Sequence, residues 1–226
     1  MADEYSYGTS SYGGVTLHYI KTSSKNVRPT LVRPMKKINA SGKYGINGGF
    51  FSGSNIVTIA VVNDVPVGGE AWAENVGWAN NNLDRGTLVW DNNAREYKVP
   101  IVRRASDITV SDRGDYWAQG GVSTTLDDDT NWKQIMIDQK LPDYDAARQR
   151  AGMVYNSGLN LWLVVSAGGC TAEAFRTAIK KTIAVGTLKN GIFLDGGGST
   201  SLYCSQNTVG CDREVPEMMA LLKPTP

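Results

Sequence analysis

The sequence predicts an α+β fold in a single domain: a strand-rich mixed sheet with one helix at residues 172–185 and few others. Many short runs alternate apolar and polar residues between turn residues, which is typical of strands. Only one segment keeps helical spacing over several turns, with Phe175, Ile179 and Ile183 four residues apart. We expect residues 15–226 to form the domain, after a flexible polar N-terminal segment, residues 1–14.

The strands are delimited by their turns. The clearest hairpin lies within residues 153–166, where Asn156-Ser157-Gly158 separates two apolar runs. Thr171 is a suitable N-cap for the following helix, and Gly186 is a suitable stop. The other predicted strands are residues 15–21, 44–51, 56–62, 86–90, 94–100, 132–138, 192–194 and 215–222.

Composition excludes several classes of protein. The net charge of +1 gives no electrostatic case for binding nucleic acid, and no apolar run is long enough to span a membrane. Residues 1–14 lack the basic start and apolar stretch of a secretory signal, so we expect a cytoplasmic protein, or a virion-associated one if a phage encodes it. Cys204 and Cys211 enclose a six-residue loop that a disulfide could close, although free thiols are the rule in cytosol. The oligomeric state is left open.

A polar loop at residues 69–83, here called the tryptophan loop, carries Trp72 and Trp78 together with three consecutive asparagines. Two tryptophans in such a loop can form a wall on which sugar rings stack. They can equally form a minor core beneath a long loop. The sequence does not decide between these two interpretations.

Residues 191–200 carry the strongest functional signal. An apolar run ends in Asp195, three glycines follow, and Ser199 and Thr200 close the segment. Glycine lets the backbone approach a ligand closely, and successive amides can cradle an anion. A carboxylate at the end of a strand is well placed for catalysis. A second glycine segment, residues 44–51, places Asn47 before Gly48 and Gly49 and ends in two phenylalanines.

Together these segments resemble the phosphodiester glycosidase family. The resemblance rests on residues 46–51, on Leu194 to Ser199, and on the order of what lies between: Arg148 four residues before a glycine, then a hairpin, then a threonine-started helix. Gly120 and Gly121 resemble an internal glycine pair of that family. The family's Asp-Gly pair and longer loop before the helix are replaced here by a short loop, residues 167–171.

The resemblance implies a hydrolase that cleaves the glycosidic bond of a sugar-1-phosphodiester, on a small or polymeric substrate. Asp195 would act as base or charge stabiliser, Arg148 would grip the phosphate through its planar guanidinium, and Asn47 would complete the catalytic set. No cofactor is implied with certainty, and a divalent metal is left open. The candidate substrate-binding residues are Gly48, Gly49, Phe51, Gly120, Gly121, Arg150, Gly196, Gly197, Gly198, Ser199 and Thr200.

Other interpretations compete with this one. Arg148 could instead form a surface salt bridge with nearby aspartates such as Asp143. The whole chain could bind a sugar phosphate or nucleotide without cleaving it, or act on an intracellular nucleotide-sugar or signalling nucleotide. A second catalytic carboxylate is not identifiable, and the open candidates are Glu70, Glu74, Glu173 and Glu214.

Overall fold

A computed structural model describes residues 4–224. These residues form nineteen strands and two α-helices. In chain order these are β1 (Ser6–Tyr12), β2 (Val15–Ser23), β3 (Val27–Lys36), β4 (Gly45–Asn47), β5 (Phe51–Ser52), β6 (Asn55–Ile56), β7 (Ala60–Val62), β8 (Val65–Pro66), β9 (Arg85–Asp91), β10 (Glu96–Lys98), β11 (Ile101–Val102), β12 (Tyr116–Gly120), β13 (Val122–Ser123), α1 (Trp132–Asp138), β14 (Ala151–Asn156), β15 (Asn160–Ser166), α2 (Ala172–Thr182), β16 (Leu188–Phe193), β17 (Ser201–Tyr203), β18 (Thr208–Gly210) and β19 (Val215–Leu221).

The predicted α+β class is wrong, because the structure is mainly β. Within residues 4–224 the strands form four sheets, and every pair of named strands is antiparallel rather than mixed. The sheet orders are β1-β2-β15-β14-β16-β13, then β10-β9-β12-β7-β8 with β11 on β9, then β18-β17-β4-β19-β3, and finally β5-β6. Short turns favour this arrangement, since parallel neighbours need long crossovers.

The helices also differ from the prediction. Residues 132–138, predicted as a strand, form α1, because Trp132 and Met136 are buried four residues apart on one helical face. Helix α2 ends at Thr182 rather than at residue 185, and Ile183 already has an extended backbone. Thr171 caps α2 as predicted, its hydroxyl accepting a hydrogen bond from Ala174 N at 3.1 Å.

The N-terminal segment is more ordered than the sequence predicts. Strand β1 pairs with β2 along its whole length, from Ser6 opposite Lys21 to Tyr12 opposite Val15. Residues 1–3 of the predicted flexible segment lie outside the described residues. The three cysteines are free, buried thiols, so no disulfide joins Cys204 to Cys211.

The sheet containing β16 lies between two apolar cores. Along β15, Leu163 and Val165 face one core while Trp162 and Val164 face the other, as the alternation of a strand requires. The second core includes Phe175 and Ile179 of α2. Strand β16 is therefore covered on both faces, and its end delivers Asp195 to a fixed place in the fold.

Candidate functional site

The two glycine-rich segments lie together. Asp195 N donates to Gly48 O at 3.3 Å, so the turn after β16 meets the turn after β4. Asn47 Nδ2 donates to Asp195 O at 2.9 Å and to Gly48 O at 3.1 Å, and Asn47 Oδ1 accepts from Ser201 N at 3.0 Å. This side chain is buried and joins three segments by hydrogen bonds. Asn47 thus holds the backbone of Asp195 in place and does not line the adjoining cleft.

That cleft has a volume of about 290 Å³. Its lining includes two carboxylates, Asp195 and Asp143, and three arginines. The lining residues are Phe50, Leu141, Pro142, Asp143, Arg148, Arg150, Leu194, Asp195, Gly196, Gly197, Gly198 and Arg213. Five of these twelve residues are charged and four are apolar, so the cleft is suited to a small charged or polar ligand.

The glycine turn supplies backbone donors to this cleft. Gly197 has φ +60°, a conformation that favours glycine, and its amide donates to Gln149 O at 2.8 Å. The amides of Gly196 and Gly198 have no backbone acceptor among residues 4–224. Two such amides in a tight turn are suited to an anion. The hydroxyls of Ser199 and Thr200 follow, buried and without a hydrogen-bond partner in the described part of the chain.

Asp195 is half-buried, and its carboxylate forms no salt bridge within residues 4–224. Burial raises its pKa, while the Ser199 hydroxyl, the charge of Arg213 and the Gly196 amide act in the opposite direction. A carboxylate with a raised pKa in a cleft is typical of a catalytic base or charge stabiliser.

The arginines differ in their environments. Arg148 is 55% exposed, and its Nε donates to Asp143 Oδ2 at 2.9 Å, which is the salt bridge that competes with a phosphate-binding role. Arg150 is buried and donates to the carbonyls of Cys170, Pro142, Asp143 and Ala146. Burial lowers the pKa of Arg150. Its guanidinium therefore holds residues 142–146 in place, with few donors left for a ligand.

The other predicted glycines lie behind the cleft rather than along it. Gly49 N donates to Glu217 Oε2 at 2.9 Å and Gly48 N to Glu217 O at 3.2 Å, so neither amide is left for a phosphate. A side chain at Gly48 would collide with the Glu217 carboxyl. Gly120 N and Gly121 N donate to Ile59 O at 2.6 Å and to Gly86 O at 2.9 Å.

Three residues of this region were not predicted. Arg213 is exposed and lines the cleft. Its Cζ lies 4.6 Å from the centroid of the Phe51 ring. Phe51 therefore packs beneath this arginine and does not line the cleft itself. Asp143, considered from the sequence only as a salt-bridge partner of Arg148, is the second carboxylate of the cleft. Neither has a sequence signal, because each lies in a loop that long-range packing brings to Asp195.

Glu217 is the third. It is 3% exposed, and burial raises its pKa to about 8, against the opposing effect of the Gly49 amide and the Gln119 side chain. Its Oε1 has no partner among residues 4–224. Glu217 lies within the apolar run at residues 215–222, which the sequence predicts as a strand, and nothing in that run marks it as a functional residue. The four glutamates proposed from the sequence lie elsewhere: none lines the cleft, and Glu173 pairs with Lys133 at 3.5 Å on α2.

Within residues 4–224, no group of three or more His, Cys, Asp or Glu side chains is arranged to hold a metal ion. None of the helices in the same range has both the length and the apolar character needed to cross a membrane.

The fold is shared with a phosphodiester glycosidase catalytic domain. That structure is zebrafish N-acetylglucosamine-1-phosphodiester alpha-N-acetylglucosaminidase, auto-inhibited by its pro-peptide; the TM-score is 0.63 at 15% identity, over 97% of this chain and 82% of that one. A hypothetical protein from Synechocystis matches with a TM-score of 0.58 at 12% identity, over 96% of this chain and 61% of that one. No protein-family model and no curated protein matches the sequence. At these identities the likeness concerns the fold.

Proposed function

We propose that this protein is a hydrolase that cleaves the glycosidic bond of a sugar-1-phosphodiester. The observation that carries the proposal is the cleft itself: an unpaired Asp195 carboxylate beside the Gly196 and Gly198 amides and the exposed Arg148 and Arg213. The shared fold with a phosphodiester glycosidase supports the same reaction class. The sugar, the phosphate substituent and the role of each residue belong to the proposal.

In this reaction the bond between the anomeric carbon and the phosphate oxygen breaks. The phosphate leaves with the electron pair, water adds its oxygen to the anomeric carbon, and Asp195 accepts the proton. A phosphate is a weakly basic leaving group and needs less protonation than an ordinary alcohol. Arg148, Arg213 and the two amides would hold the phosphate, and the Asp195 charge would stabilise the positive sugar ring.

The test is incubation with a panel of sugar-1-phosphodiesters and nucleotide-sugars, with release of free sugar as the readout. Cleavage of at least one member supports the proposal.

A second candidate is a protein that binds sugar phosphates or nucleotides without cleaving them. It is favoured by the Asp143–Arg148 salt bridge, which leaves Asp195 as the one unpaired carboxylate among the described residues of the cleft. Tight binding with no cleavage across the panel would establish this second candidate.

Arg148→Lys is expected to reduce kcat/KM by about tenfold, because lysine cannot form the bidentate contact with phosphate. Arg150→Lys is expected instead to lower the melting temperature, since one ammonium cannot replace a guanidinium bonded to four carbonyls. Arg103→Lys is the matched control, because Arg103 forms a surface salt bridge with Asp84. Unchanged kinetics of Arg148→Lys would remove Arg148 from the mechanism.

A further inference from the structure

A second cleft, of about 340 Å³, is lined by the tryptophan loop and by Val57 and Arg104. Trp72 is 68% exposed, whereas Trp78 is buried, and their ring centroids are 5.0 Å apart with 51° between the planes. The loop therefore forms neither a fully buried minor core nor two free tryptophans. One indole is fixed within the protein, and it supports a second indole that is open to solvent.

The backbone of this loop is held on both sides. Val76 forms a β-bridge with Ile56, Ala79 forms one with Arg104, and the Trp78 carbonyl accepts from Ala105 N at 2.9 Å. Trp72 itself has φ +70°, a conformation that is costly for a bulky residue. Such backbone strain persists where surrounding contacts fix it, and it concentrates at ligand sites.

Unused polar groups surround the exposed ring. Asn75, Asn81 and Asn82 all line the cleft, and their side-chain amides make no hydrogen bond within residues 4–224. Each amide offers donors and an acceptor, the combination that matches a sugar hydroxyl. Trp78 Nε1 is also buried without an acceptor in the described range. Buried donors of this kind are usually satisfied by a water molecule or a ligand.

The charges of the cleft balance, so they give no preference for a ligand of either sign. Glu74 and Arg104 have opposite signs, and neither forms a salt bridge in the part of the chain that the structure describes. We propose that this cleft binds a neutral pyranose, with the Trp72 ring stacked on the apolar face of the sugar and the asparagine amides bonded to its hydroxyls. This site is separate from the Asp195 cleft and does not depend on the reaction proposed there.

The experiment is a saturation-transfer NMR titration of the full chain with cellobiose, maltose, lactose and N,N′-diacetylchitobiose. We expect at least one disaccharide to bind with a dissociation constant of about 1 mM or lower. Trp72→Ala should weaken that binding by about tenfold, and Asn82→Ala should weaken it less. Tyr12→Ala removes another exposed aromatic side chain, in β1, and should leave the affinity unchanged.

Binding by none of the four disaccharides, or equal affinity of Trp72→Ala and wild type, would overturn the proposal. A competition titration with glucose-1-phosphate separates it from the proposed hydrolysis. If the disaccharide signal persists while glucose-1-phosphate is also bound, the second site is independent of the Asp195 cleft. If glucose-1-phosphate displaces the disaccharide, the two ligands share one site and the inference fails.

Discussion

Asp195→Asn is expected to reduce turnover of a sugar-1-phosphodiester by about a hundredfold or more while the protein still folds and binds ligand. Asparagine keeps the shape of the side chain but removes its charge and its basicity. The hydrogen bonds that fix residue 195 involve its backbone N and O, with Gly48 O and Asn47 Nδ2, so the substitution leaves them in place. Single-turnover kinetics and ligand titration measure the two effects separately.

Asp84→Asn provides the control, because it neutralises an exposed carboxylate paired with Arg103 outside the cleft. The pH dependence adds a second readout. Since burial raises the pKa of Asp195, the acid limb of kcat/KM in wild type should lie above the usual range for an aspartate. Full turnover by Asp195→Asn would show that Asp195 has only a structural role in the turn. Asp143 would then be the next candidate for the catalytic carboxylate.

Glu217 is expected to make the protein less stable as the pH rises. Its carboxyl stays protonated in the folded state up to a pKa of about 8, whereas the unfolded chain releases the proton near 4.5. Between these values the folded state binds more protons, so the free energy of unfolding falls by up to about 1.4 kcal/mol per pH unit. Denaturant unfolding measured from pH 4 to 9 would show this decline and a plateau above the folded pKa.

Glu217→Gln should flatten that dependence, because glutamine keeps an oxygen for the Gly49 amide and carries no titrating proton. Glu214→Gln, at an exposed glutamate three residues earlier, should behave like wild type. A steep decline that survives in Glu217→Gln would assign the pH dependence to another group.

The sequence predicts the local parts of this site better than their use. Asp195 ends an apolar run and begins a glycine turn, and the structure has that turn at the end of β16 beside Asn47. These features depend on neighbours in the chain. The sequence predicts that the Gly48 and Gly49 amides bind a phosphate. In the structure both amides donate hydrogen bonds to Glu217, which lies on β19, far along the chain.

The prediction of the fold class is wrong because it, too, depends on contacts between distant parts of the chain. Periodicity identified most strands, but it carries no information on which strands pair or in which direction. Residues 132–138 were misread because a seven-residue segment holds too few turns to separate helical from strand spacing. Arg148 and Arg150 look equivalent in sequence, and only the carbonyls that packing brings around Arg150 distinguish an anchoring residue from an exposed one.

The bonds from Arg150 to the carbonyls of residues 142–146 affect how the cleft selects its ligand. These bonds fix the wall of the cleft that carries Pro142 and Asp143. A wall anchored in this way does not close over a substrate or yield to a larger one, so little conformational entropy is lost when a ligand enters. The cleft then selects ligands by size, because a substituent that exceeds the existing space is excluded. Amide hydrogen exchange of residues 142–146 should change little when a ligand fills the cleft.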